Sequence, residues 1–117
     1  MLFNNEKPIY LQIMDLVSEK ILKEEWKTEE KILSVRDMGA AIEVNPNTVM
    51  RAYEKLQQDE IIFNKRGLGF FVAPDAIHKI LAAKEQHFLE NEVPSFFETA
   101  KLLRISFEEL HELYLKN

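Results

Sequence analysis

The 117-residue chain contains no cysteine and only 3 glycines. The first absence excludes disulfides, thiolate nucleophiles and cysteine-ligated zinc or iron-sulfur centres together. No glycine-rich phosphate loop or nucleophile motif occurs either. No stretch approaches the roughly 18 consecutive apolar residues of a membrane span, and no basic-then-apolar segment opens the chain as a secretory leader would. The expectation is a cytoplasmic protein with no membrane partner. Histidine is scarce, and His78, His87 and His111 lie without close spacing to one another, which suits surface or interface positions better than a catalytic or metal-binding set. An enzyme is therefore not expected, nor a cofactor.

What is present is the composition of a folded protein, with 46% hydrophobic and 30% charged residues. The length suits one domain, or a small domain with a helical appendage. A net charge of -5 argues at first against a nucleic-acid partner, because phosphate binding needs a positive face. The distribution changes that argument. Residues 1–30 carry 4 Lys against 7 acids, residues 31–72 carry 6 Lys and Arg against 5 acids, and residues 73–117 carry 5 against 8. Only the middle segment is not acidic, and it holds Arg36, Arg51, Lys65 and Arg66.

After Pro8, Ile9, Ile13, Leu16, Val17 and Ile21 recur at helical spacing and predict an amphipathic helix from Ile9 to about Glu25. The charged stretch from Lys27 to Lys31 breaks that pattern. Ser34 with Asp37 three residues on is a capping arrangement that predicts a second, short helix from Val35, with Val35, Met38, Ala41 and Ile42 on one face. Gly39 inside it lowers helix propensity by about 1 kcal/mol relative to Ala, as befits a point of close packing. Asn45 directly before Pro46 predicts the start of a third helix. Its wheel turns Val49, Ala52, Tyr53 and Leu56 inward and Asn47, Thr48, Arg51 and Lys55 outward. Two short helices joined by about three residues have the dimensions of a helix-turn-helix.

Two β-prone segments, Ile61 to Phe63 and Phe70 to Val72, flank a loop containing Lys65, Arg66, Gly67 and Gly69. This hairpin has the layout of a wing, and Pro74 ends it. Asp75 can cap a fourth helix to about Asn91, closed by Pro94. Ser95 with Glu98, and Ser106 with Glu109, read as capping boxes of two short terminal helices. The fold class is thus mainly α with a small β-hairpin: a winged helix-turn-helix over residues 1–74 and a helical dimerisation tail over residues 75–117. The tail is rich in apolar residues for its length, and segments this short seldom stabilise themselves. It either folds back on the winged domain or pairs with a second copy. Pairing is the expectation, because operator-binding proteins usually match a two-fold DNA site. Ile77, Leu81, Phe88, Phe96, Phe97, Phe107, Leu110 and Tyr114 are the candidate dimer contacts.

Residues 8–73 resemble the N-terminal DNA-binding domain of the GntR family of bacterial regulators. Four blocks in the right order carry the resemblance: Pro8 to Ile13 (PIYLQI), Leu33 to Met38 (LSVRDM), Val44 to Tyr53 (VNPNTVMRAY) and Arg66 to Val72 (RGLGFFV). The brief tail is similar to that of the YtrA-type subfamily. The resemblance implies a homodimer on double-stranded operator DNA, repression of an operon that often encodes a transporter, and possible control by an unidentified small molecule. It assigns DNA contact to Ser34 and Arg36, to Asn45, Asn47, Thr48 and Arg51, and to Arg66, Gly67 and Gly69. Lys65 joins them as a cation near the wing tip.

Each residue also has a plainer reading. Ser34 and Asn45 can serve as caps alone, Arg36 can pair with Asp37 or Glu43, and Arg51 with Glu54. A winged helix used only for protein contacts would suit the acidic total. The sequence departs from the family pattern at Leu33, where proline is usual, Glu60, where a turn glycine is usual, Leu68, where the wing tip is commonly polar, and Phe70, where a small hydroxyl residue is common. These departures weigh against the wing and toward the third helix as the seat of specificity.

Overall fold

A computed structural model describes residues 3–117. Three helices, α1 (Ile9–Leu22), α2 (Val35–Ile42) and α3 (Pro46–Gln58), precede a hairpin of β1 (Ile62–Lys65) and β2 (Gly69–Val72). Then follow α4 (Ala76–His87), a π-helical segment (Phe88–Glu92), α5 (Val93–Leu102) and α6 (Phe107–Lys116). The fold is mainly helical, a winged helix-turn-helix followed by C-terminal helices. It forms two compact units, the first ending at Leu81 and the second spanning Ala82–Asn117.

In the first unit, the helical spacing of Ile13, Val17 and Ile21 places all three in the core. Gln12 fixes the chain that leads into α1. Its Nε2 donates to the carbonyls of Asn4 and Lys7, both at 2.8 Å, and its Oε1 accepts from the Asn4 amide at 3.2 Å. Met38 and Ile42 of α2 and Val49, Ala52, Tyr53 and Leu56 of α3 complete the facing surfaces, whereas Ala41 is exposed. Buried side chains of this size each contribute about 1.5–3 kcal/mol through removal of apolar surface from water.

The turn between α2 and α3 depends on Gly39. A Cβ there would lie 2.8 Å from the Val44 carbonyl oxygen, too close for any side chain. Val44 in turn donates its amide to the Gly39 carbonyl at 2.9 Å, and Glu43 bends the chain with a left-handed φ of 56°. Tyr53 is fully buried, and its hydroxyl donates to the Leu33 carbonyl at 2.7 Å. Burial pushes its phenol well above the usual tyrosine range, so it remains a neutral donor.

The hairpin pairs Ile62 with Val72 and Lys65 with Gly69 in antiparallel register. The charged stretch before α2, expected only as a break, pairs with β2 as well. Lys31 bridges Phe71, the Ile32 amide donates to the Phe70 carbonyl at 2.9 Å, and Val72 donates to Glu30 at 3.0 Å. Phe70, unexpected on the family pattern, packs edge-on against Tyr53 with ring centroids 5.1 Å apart, so this departure adds to the core. Ala76 and Ile80 of α4 are buried with the winged unit.

Left-handed turns in this glycine-poor chain fall on Glu24, Glu29, Glu43, Glu60 and Arg104. Such a conformation costs a non-glycine residue about 1–2 kcal/mol. At Glu60, φ is 60°, which explains why glycine is usual there. The Glu60 carboxylate pairs with Lys79, whose ammonium lowers the carboxyl pKa below its ordinary value.

The second unit corrects two expectations. Pro94 does not close a helix, and Ser95 does not cap one. The backbone stays helical through His87, Glu92 and Val93, and the Val93 amide donates to the Phe88 carbonyl five residues back. A proline ring clashes with the carbonyl four residues earlier in an α-helix, and a π-helical turn is a known way to absorb such a disruption. Ser106 does cap α6, accepting from the Glu109 amide at 3.2 Å. Among the described residues of this unit, Ala100 is the one buried hydrophobic side chain.

Candidate nucleic-acid interface

Caps set the start of both helices of the helix-turn-helix and leave donors in place. The Ser34 hydroxyl accepts from the Asp37 amide at 3.0 Å, and the Asn45 Oδ1 accepts from the Asn47 amide at 2.8 Å. The capping half of the sequence reading therefore holds for both. Capping uses oxygen lone pairs only, so the serine proton and the asparagine Nδ2 protons remain available to phosphate or base acceptors.

Arg36 is exposed on the first turn of α2 and, among the described residues, forms no ion pair with Asp37 or Glu43. Arg51 does not pair with Glu54. Its guanidinium carbon lies 3.9 Å from the centroid of the Tyr10 ring, in the first turn of α1. Asn47, Thr48 and Arg51 line a shallow cleft with Pro8, Ile9 and Tyr10. This cleft joins polar donors at the start of α3 to an aromatic face from α1.

At the wing, the Leu68 amide donates to the Lys65 carbonyl at 2.8 Å and closes a turn around Arg66 and Gly67. Gly67 has φ 79° with open space where a side chain would stand, a backbone able to approach a duplex closely. Leu68 is 60% exposed. The Lys65 ammonium lies 4.6 Å from the Phe71 ring and 5.6 Å from Phe63, while those rings stack at 5.7 Å. Gly69, at φ 113°, gives room to Lys31, whose Cε would stand 3.2 Å from an added Cβ. Lys31 is thus a further cation at the wing base. The sequence reading missed it because pairing of its segment with β2 leaves no apolar alternation among charged residues.

The candidate dimer residues are distributed unevenly. Ile77 packs against the winged-unit core, and Leu110 is half-buried. Leu81, Phe88, Phe96, Phe97, Phe107 and Tyr114 are all exposed in the single chain. Among the described residues, no cluster of three or more histidine, aspartate or glutamate side chains could hold a metal, and no helix is long and apolar enough to cross a membrane.

A winged helix-turn-helix with cationic side chains on α2, α3 and the wing that form no ion pair among the described residues defines a class of nucleic-acid-binding modules. The model of the bacterial regulatory proteins of the gntR family matches residues 9–72. The chain is 33% identical over 110 residues to the HTH-type transcriptional regulator YhcF of Bacillus subtilis, covering 94% of this chain and 89% of that one. It is 32% identical over 105 residues to the HTH-type transcriptional repressor YtrA of the same organism, covering 90% and 80%. A crystal structure of a GntR-family transcriptional regulator from Bacteroides thetaiotaomicron shares 44% identity over 93% of this chain and 95% of that one, with a TM-score of 0.83. This chain belongs to the GntR family and is a DNA-binding transcription regulator close to the small YhcF and YtrA type, not an enzyme.

Proposed function

We propose that the chain is a cytoplasmic repressor that binds an inverted-repeat operator as a homodimer, the winged unit reading DNA and the C-terminal helices joining two copies. The observation that carries the DNA contact is the start of α3, where Asn47, Thr48 and the unpaired Arg51 share one cleft. Arginine can donate two bonds to a guanine edge, and a helix N-terminus offers amides to phosphate. Ser34, Arg36 and Asn45 extend the contact along α2 and its turn, and Lys65, Arg66, Gly67 and Gly69 add the wing. Likeness to a transcriptional repressor over 90% of the chain supports repression.

Dimerisation is supported by the C-terminal unit, which buries little more than Ala100 and exposes Phe96, Phe97, Phe107 and Tyr114. Large apolar side chains left exposed in such number within one unit favour an interaction surface. A second copy is the occupant that also places two recognition helices one DNA turn, about 34 Å, apart. A transporter operon as target and a small-molecule effector follow from the family resemblance alone.

Selection of duplexes from a randomised pool by the full chain tests this reading. The expected outcome is an enriched inverted repeat whose affinity falls steeply with salt, since each phosphate neutralised releases counterions. No enrichment, with binding insensitive to salt, would favour a module for protein contacts instead.

A further inference from the structure

We infer that Tyr10, in α1 and outside the helix-turn-helix, is a positioning residue for DNA readout: its ring holds the face of the Arg51 guanidinium so that the edge of that group points to bases. The inference rests on the DNA contact proposed for Arg51.

A guanidinium is flat, and its five N–H donors all lie in its plane. Stacking on an aromatic ring uses the face and leaves every donor in the edge unspent. The Arg51 Cζ lies over the Tyr10 ring, 3.9 Å from its centroid, a separation short enough for that arrangement. Among the described residues no carboxylate pairs with Arg51, so its donors are not occupied by an ion pair. The ring is itself held. Tyr10 is half-buried against the winged-unit core, and Gln12, two residues on, ties the preceding segment to α1 through the carbonyls of Asn4 and Lys7. The long arginine side chain is thereby ordered before DNA arrives, and less rotamer freedom is lost on binding.

The companion residues of the cleft fit this role. Asn47 and Thr48 stand one helical turn ahead of Arg51 on the same outward face, so fixing the guanidinium fixes its register against their polar groups. The expected gain is about fivefold in affinity, from an exposed cation-π contact together with the ordering of one side chain.

A double-mutant cycle on the full chain tests it, with the duplex selected by the wild type as the probe. Tyr10→Leu keeps apolar bulk but removes the ring, and Tyr10→Phe keeps the ring. The expected results are a loss of about fivefold for Tyr10→Leu in the wild-type background, no comparable loss in the Arg51→Ala background, and near-wild-type affinity for Tyr10→Phe. Equal losses in both backgrounds, no loss for Tyr10→Leu, or no loss for Arg51→Ala would each overturn the inference. Thermal unfolding of each variant separates positioning from folding, because a purely structural role would lower the midpoint without coupling to Arg51. Failure to select any duplex at all would instead remove the DNA reading, before any substitution is made.

Discussion

The two units of this chain spend their apolar residues in opposite ways. The winged unit builds a core of large side chains, with Tyr53 and Leu56 at 0% exposure, and places its cations on the surface of α2, α3 and the wing. The C-terminal unit leaves Phe107 at 72% and Tyr114 at 78% exposure. A unit with its own core can present polar groups outward and read a charged ligand. One without a core completes itself on another surface. The difference is the physical basis for assigning DNA contact to the first and self-association to the second, and it also explains how an acidic protein accommodates DNA, since the only non-acidic segment supplies the helix-turn-helix and the wing.

Separating the two units is expected to have the largest effect. The cut belongs after Leu81 rather than after Pro74, because Ala76 and Ile80 are part of the winged-unit core. The truncated chain is expected to sediment as a folded monomer and to bind the selected operator at least about a hundredfold more weakly, through loss of the second linked contact. A truncated dimer would show that the tail is not the joining element.

The core side of the comparison is expected to respond almost as strongly. Tyr53→Ala should lower stability by about 3–5 kcal/mol, through the cavity and the loss of the donor to Leu33. Phe107→Ala should leave the unfolding of the monomer nearly unchanged and act instead on the concentration at which dimers dissociate, read by sedimentation. Gly39→Ala is expected to cost about 1–3 kcal/mol, because the Val44 carbonyl would have to move. Chemical denaturation measures this directly.

Most of the winged unit was legible in the sequence because its signals are local. A capping serine, an Asn-Pro helix start, a period of 3.6 and glycines in a hairpin loop each specify their own neighbourhood; Ser34 and Asn45 cap as their spacing implied, and so does Ser106 in the C-terminal unit. Signals that depend on distant partners were not legible. The pairing of Lys31 with Phe71 gives no alternating pattern in a charged stretch, and the contact of Arg51 with the Tyr10 ring joins residues from two helices. Pro94 and Ser95 read as a stop and a new start, since nothing local announces that a π-helical turn will carry the helix past a proline. Glu60 and Phe70 look like losses until Lys79 and Tyr53 are found beside them.

The smallest expected effect concerns Glu60. Its carboxyl is held below the ordinary value chiefly by the hydrogen bond from Lys79, so the pair contributes stability above the unfolded carboxylate pKa, about 4.3, and loses it as pH falls through the lower folded value. Lys79→Met should therefore be slightly less stable than the wild type at neutral pH, and the gap should close on acidification. A gap that persisted at low pH would mean that the side chain acts by packing.

If one unit reads DNA while the other joins two chains, the mass of the complex formed between the full chain and its selected duplex must show it. Two chains per duplex are expected, on half-sites whose centres are about 10 base pairs or a multiple apart. One chain per duplex, bound at a single half-site with undiminished affinity, would contradict it.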